Sequence, residues 1–84
     1  MANINEFNEL LNEILDEKFP NTIRYAVSSG DYWQDRVIEL RENGHQLRYS
    51  PYELYKQSDN YEDTIEALII EWNAKLNGNN ERNQ

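Results

Sequence analysis

The sequence predicts an α+β fold in which an N-terminal helix, a three-stranded antiparallel sheet, a short helix and a C-terminal helix form two layers. Apolar residues recur at helical spacing near both ends of the 84-residue chain. The middle of the chain contains alternating segments typical of strands. Between two of these segments lies Asn43-Gly44, the strongest hairpin signal in the chain, because both turn positions need positive φ.

The first helix is expected from Ile4 to Lys18, with Asn3 as its cap and Pro20 ending it. Its apolar stripe consists of Ile4, Phe7, Leu10, Leu11, Ile14 and Leu15. Carboxylates gather on a separate flank of the helix, namely Glu6, Glu9, Glu13, Asp16 and Glu17. Because Lys18 is the only base within three or four positions of these acids, we expect them to lack an internal partner.

Strands are expected over Thr22–Ser28, over Trp33–Glu42 and from His45 onward, with a turn at residues 29–31. A two-residue loop at Asn43-Gly44 pairs Glu42 with His45. The face predicted to pack on the helices carries Tyr25, Ile38, Leu40, Leu47 and Tyr49. On the opposite face, Glu39 is expected to lie across from Arg48.

A short helix is expected from Pro51 to about Gln57, capped by Ser50, and a last helix from Tyr61 to Leu76. The apolar stripe of the last helix consists of Tyr61, Ile65, Leu68, Ile69, Trp72 and Leu76. A second group of acids lies beside or opposite this stripe: Asp59, Glu62, Asp63 and Glu66. Ile70 falls among these acids, where it either packs against the short helix or contacts a partner.

One domain is expected over residues 1–77, followed by a disordered tail over residues 78–84. The chain lacks cysteine, which excludes disulfides and thiolate chemistry. It also lacks an apolar run approaching the roughly 20 residues of a membrane span and a signal peptide at its start. The expected location is therefore the cytoplasm.

Sixteen acidic residues oppose eight basic ones, which gives a formal net charge of −8. A charge of this sign repels nucleic acid and anionic membranes, so the expected partner is a basic protein surface. A nucleic-acid-binding protein or a nuclease has such a surface. The alternative interpretation is that the acidity only keeps a small protein in solution.

No pattern in the sequence predicts catalysis, a metal site or a cofactor. The single histidine, His45, is expected to be exposed beside the tight turn, without the positioned partner that acid–base chemistry needs. The dense cluster over residues 59–63 lacks the central glycine and ligand spacing of an EF-hand loop, and helix capping accounts for it better. We therefore expect a binding protein that is not an enzyme.

Two aromatic residues, Tyr32 and Trp33, lie at the Gly30 turn with Asp31 and Asp35 beside them. Large aromatic side chains next to a loop are typical anchors of protein interfaces. The alternative is that Trp33 folds back over the edge of the sheet. We include these four residues, Asp31, Tyr32, Trp33 and Asp35, among the candidates for partner binding.

In size, charge and order of elements, the chain resembles the small acidic inhibitors that phages encode and that imitate DNA, in particular a type II-A anti-CRISPR protein. The resemblance spans most of the chain as an overall pattern; no motif is aligned, so no functional residue is carried over. It implies an inhibitor that blocks the basic DNA-binding cleft of Cas9 in the host cytoplasm, with carboxylates in place of phosphates. Independently of the resemblance, we expect a monomer or homodimer. The alternative is a structural or adaptor protein that self-associates or binds a host protein without imitating DNA.

Overall fold

The computed structural model describes residues 4–27 and 35–78 of the chain. Its elements follow in the order α1 (Ile4–Lys18), β1 (Ile23–Ala26), β2 (Ile38–Glu42), β3 (His45–Tyr49), α2 (Pro51–Gln57) and α3 (Tyr61–Leu76). The predicted α+β order is confirmed. The predicted cap at Asn3, the turn at residues 29–31 and the tail at residues 79–84 lie outside the described residues.

The β2–β3 hairpin has the predicted register. Leu40 lies opposite Leu47, Glu39 lies opposite Arg48, and Glu42 lies opposite His45. The turn residues adopt the left-handed backbone that this loop requires, with φ of 53° at Asn43 and 85° at Gly44. The turn chemistry and the alternating pattern therefore specify one register together.

The first strand, β1, packs with the opposite face to the one predicted. Tyr25 pairs with Glu39 of β2, and Arg24 pairs with Leu40. Because side chains that are directly opposite in an antiparallel pair point to the same face, Tyr25 lies with Glu39 on the outer face of the sheet. The prediction that Tyr25 belongs to the core is wrong, and its side chain is 42% exposed.

Two of the strands are shorter than predicted. Strand β1 begins at Ile23 rather than Thr22, and the backbone N–H group of Thr22 donates to the carbonyl of Phe19 in the preceding turn. Strand β2 begins at Ile38; just before it, the carbonyl of Val37 accepts a hydrogen bond from the N–H group of Val27, the residue that follows β1. The predicted end of the first strand at Ser28 and the predicted start of the second at Trp33 fall in residues 28–34, outside the described residues.

The helices begin and end where the local sequence predicts. The Ser50 hydroxyl accepts from the N–H group of Glu53 at the start of α2, and Asn60 accepts from that of Asp63 at the start of α3. Gly78, with φ of 65°, follows the end of α3. Among the described residues, no helix is long and apolar enough to cross a membrane.

One core joins the helices to the inner face of the sheet. Its fully or nearly fully buried members are Phe7, Leu11, Leu15, Leu40, Tyr49, Ile65, Leu68 and Trp72. Burial raises the pKa of Tyr49 to about 12, because the ionised phenolate would lose its hydration in the core. This core holds the helical layer against the sheet, and each layer has one face that points away from the core.

A chain of hydrogen bonds also connects α3 to the sheet. The indole N–H of Trp72 donates to the hydroxyl of Thr22 over 3.0 Å, and that hydroxyl donates to a carboxylate oxygen of Glu42 over 2.5 Å. These three residues are far apart in sequence, and no local pattern predicts the connection. The bonds satisfy the polar atom of a tryptophan whose side chain is inaccessible to solvent.

Candidate protein interaction surface

Helix α1 presents its acids on the side away from the core. Phe7, Leu11 and Leu15 are buried, and they mark the inward direction of the helix. The five predicted acidic residues are all exposed: Glu6, Glu9, Glu13, Asp16 and Glu17. At 100° per residue, this set lies roughly opposite the buried stripe, so the helix has one apolar side and one carboxylate side.

Among the α1 acids, Asp16 has a cationic partner, contrary to the prediction. The guanidinium group of Arg24 lies 2.8 Å from the Asp16 carboxylate. The prediction of an unpaired Asp16 is wrong, because Arg24 faces the helical layer from the inner side of β1. Glu9, Glu13 and Glu17 form no ion pair with another described residue.

Glu6 lies near the start of α3, where three aromatic rings meet. The ring centroids of Phe7 and Tyr61 are 5.1 Å apart, and Tyr55 is 6.0 Å from Tyr61. The pKa of Tyr61 is raised, first by burial and also by the nearby Tyr55 and the negative charge of Glu6. Glu6 therefore has a local electrostatic neighbour and differs in this respect from the acids farther along α1.

The acids of α3 lie on the same helical layer as those of α1. Glu62 and Glu66 line a groove that also includes Ile14 and Lys18 of α1. Asp59 and Asp63 lie on another side of the α3 start, beside a separate shallow depression. The sequence-predicted group of four acids is thus divided, and only Glu62 and Glu66 border the space between the two long helices.

Ile70 borders the same groove between α1 and α3, and it is the most exposed large apolar side chain of the described residues, at 61%. The alternative expectation, that Ile70 packs against α2, is therefore not met. The groove has a volume of about 430 Å³, and the half-buried Ile14 and Ile69 supply its accessible apolar lining, next to the fully buried Ile65. An apolar floor beside two carboxylates is therefore open to solvent.

Among the described residues, an acidic side chain on the outer face of the sheet is paired with basic ones, unlike most of those on α1. The Glu39 carboxylate is inaccessible to solvent and accepts hydrogen bonds from Arg41 and, over 2.7 Å, from Arg48. These bonds, with that from Arg48 first, hold the pKa of Glu39 below its ordinary value. The predicted Glu39–Arg48 pair is present, whereas the burial of Glu39 and the second arginine were not predicted.

Apolar side chains on β1 share this outer face. Ile23 is 55% exposed and Tyr25 is 42% exposed, and Val27 follows at the same alternation. The guanidinium carbon of Arg41 lies 4.7 Å from the centre of the Tyr25 ring, a cation–π contact. Exposed apolar residues in a row on a sheet face are typical of contact surfaces. This row was not predicted, because Tyr25 was expected to pack on the helices.

Three of the residues predicted to contact a partner, Asp31, Tyr32 and Trp33, lie outside the described residues. Asp35 is described and exposed. His45 is half-buried rather than exposed, and it lines the depression beside the hairpin turn. Within residues 4–27 and 35–78, no three His, Asp or Glu side chains are grouped so that they could hold a metal ion.

Comparison of the chain with protein-family models, with curated proteins and with solved structures finds no match.

Proposed function

We propose that this protein is a small acidic inhibitor or regulator that covers a basic, nucleic-acid-binding surface of another protein. The observation that carries the proposal is the set of carboxylates on the helical layer without a cationic partner among the described residues. Glu9, Glu13 and Glu17 follow one another at intervals of four residues on α1. Their side chains are therefore about 5–6 Å apart along one side of the helix.

Regularly spaced negative charges along a rod are the feature by which basic clefts hold a nucleic acid strand. A helix with a carboxylate on each successive turn offers the same sign of charge in a similar linear arrangement. The charges cost stability, since like charges four residues apart repel within a helix. A cationic partner would relieve that repulsion when it binds, which favours a binding role over a purely solubilising one.

Cas9 is the particular partner that the resemblance to type II-A anti-CRISPR proteins suggests. Its arginines read the short duplex motif beside the target, and its channel carries dense positive charge. The proposal can be tested by measuring whether the protein prevents a type II-A Cas9–guide RNA complex from binding a DNA duplex that contains its motif. We expect competition that weakens steeply as ionic strength rises.

The matched variants for this experiment carry equal changes of charge at different places. Glu9→Lys with Glu13→Lys reverses two acids of the α1 row. Glu53→Lys with Glu71→Lys makes the same change at exposed residues of α2 and α3 that do not line the groove. We expect the first pair to abolish competition and the second to weaken it only through net charge; equal behaviour of the two variants would contradict the proposal.

A second candidate function is that of an adaptor that self-associates through the outer face of the sheet. The exposed row of Ile23, Tyr25 and Val27 favours it. Sedimentation of the pure protein distinguishes the two candidates, because such a dimer would persist at high salt. A monomer at high concentration would count against the adaptor.

A further inference from the structure

The groove between α1 and α3 combines two features that charge alone does not explain. Ile70 is exposed at its border, where Ile65 and Ile69 continue an apolar lining that meets Ile14 of α1. Leaving Ile70 in water forgoes the free energy that its burial would provide. Glu62 and Glu66 stand beside this apolar floor and form no ion pair with another described residue.

We propose that this groove receives an aliphatic side chain from a basic segment of the partner protein, with arginine or lysine residues on both sides of it. The inference rests on the proposed function and specifies the chemistry of the partner. The apolar side chain would cover Ile70 and Ile69, and the flanking cations would lie against Glu62 and Glu66. Nucleic acid does not fit this groove, because it would bring phosphates to the carboxylates.

The occupant follows from charge complementarity. A second copy of this chain carries the same net charge of −8, and its acidic helical layer would be repelled by Glu62 and Glu66. An uncharged apolar segment would bury the isoleucines but would remove water from the carboxylates without replacing it by a partner. A basic segment with one apolar residue satisfies both parts of the groove.

Lys18 lies in the same groove and is the one cation of α1. Its ammonium group opposes the approach of a cationic segment at that end. The Lys18→Gln variant should therefore bind the segment more tightly than the unaltered protein. A higher affinity of the Lys18→Gln variant would show that charge at the groove contributes to binding; an unchanged affinity would show that it does not.

The experiment uses two capped pentapeptides that differ only in the central residue: Arg-Arg-Leu-Arg-Arg and Arg-Arg-Ser-Arg-Arg. Burying roughly half of a leucine side chain should make the leucine peptide bind about fivefold more tightly. Both peptides carry the same charge, so this ratio should persist as salt weakens both affinities. Binding is measured by the chemical shifts of backbone amides in an isotope-labelled sample.

Two exposed isoleucines provide the matched variants. Ile70→Ser should lower the ratio of the two affinities towards one, whereas Ile23→Ser, which alters an isoleucine of similar exposure on the sheet, should leave it at about five. A ratio of one in the unaltered protein, or a ratio that Ile70→Ser does not change, would overturn the inference. If both peptides bind with equal, salt-sensitive affinity, the proposed function stands without the groove; if neither binds, both proposals fail.

Discussion

The helical layer and the outer face of the sheet treat charge in opposite ways. On the sheet, the strands carry three arginines and two glutamates, and Glu39 is enclosed by Arg41 and Arg48. On α1, five carboxylates accompany one lysine; Asp16 is paired with Arg24, whereas Glu9, Glu13 and Glu17 form no ion pair with another described residue. The difference shows that the fold has arginines available for pairing, but places them mainly away from the acids of the helices.

Paired and unpaired carboxylates make different contributions to folding. A carboxylate that accepts charge-assisted hydrogen bonds in the native state stabilises that state, whereas a row of like charges destabilises it slightly. The same substitution, glutamate to glutamine, should therefore change stability in opposite directions in the two regions.

The largest expected effect is that of Glu39→Gln. The amide retains the shape of the side chain but loses its negative charge beside two guanidinium groups, so charge-assisted bonds become weaker neutral ones. We expect a lower midpoint of urea denaturation at pH 7, measured by far-ultraviolet circular dichroism. An unchanged or higher midpoint would mean that hydration of the two arginines stabilises the fold as much as their hydrogen bonds to Glu39 do.

The loss caused by Glu39→Gln should depend on pH. The pKa of Glu39 in the folded protein lies below its ordinary value of 4.5, so the unfolded chain takes up a proton first as pH falls. The stabilising contribution is therefore complete above that value and disappears as pH falls through it towards the folded-state pKa. We expect the difference in urea midpoint between the two proteins to be constant from about pH 6 to 8 and to shrink below about pH 4.5; a constant difference down to pH 3 would contradict this account.

A smaller effect of opposite sign is expected for Glu13→Gln. Glu13 lies four residues from both Glu9 and Glu17, so neutralising it removes two like-charge contacts of about 0.2–0.5 kcal/mol each at low salt. The variant should be more stable than the unaltered protein by about 0.4–1 kcal/mol in urea denaturation. The gain should vanish in high salt, where the repulsion is screened.

Asp16→Asn is the control on the same helix. It also removes one negative charge, but it breaks the ion pair with Arg24, whose side chain is 30% exposed. Because an exposed pair of this kind contributes about 0.2–1 kcal/mol, we expect no gain in stability or a slight loss. Equal stabilisation by Glu13→Gln and Asp16→Asn would show that pairing does not distinguish these two acids.

Much of the fold could be predicted because local signals agree with the packing. The Asn43-Gly44 turn and the alternation around it specify the whole β2–β3 register. Caps at Ser50 and Asn60 mark the starts of α2 and α3, and the helical spacing of apolar residues identifies their buried sides. In these segments the chemistry of a few neighbouring residues decides the structure.

The orientation of β1 could not be predicted in the same way. Alternation shows that Ile23, Tyr25 and Val27 share a face, but it does not show which face, and a shift of one residue in pairing exchanges the two. The Asn43-Gly44 turn specifies how β2 pairs with β3, but it does not specify which face of β1 packs on the helices. This one error hid the ion pair between Arg24 and Asp16 as well as the exposed apolar row.

The candidate site was predictable in its charges but not in its shape. The acids of α1 follow from helical spacing, whereas the groove depends on the distance between α1 and α3, which no local pattern contains. The sequence likewise could not separate Glu62 and Glu66, which border the groove, from Asp59 and Asp63, which do not. Helix packing decides which members of an acidic cluster share a surface.

The most direct test of the central claim locates where a cation binds. A hexa-arginine peptide is added to the isotope-labelled protein at ionic strengths of about 0.01 M and about 1 M, where charges are screened beyond about 30 Å and 3 Å respectively. We predict that at low salt the amide signals of residues 9–17 and 62–66 shift while those of the three strands do not, and that high salt abolishes the shifts. Shifts centred on the strands, or spread evenly over the molecule, would contradict the claim that the helical layer holds the negative charge available to a partner.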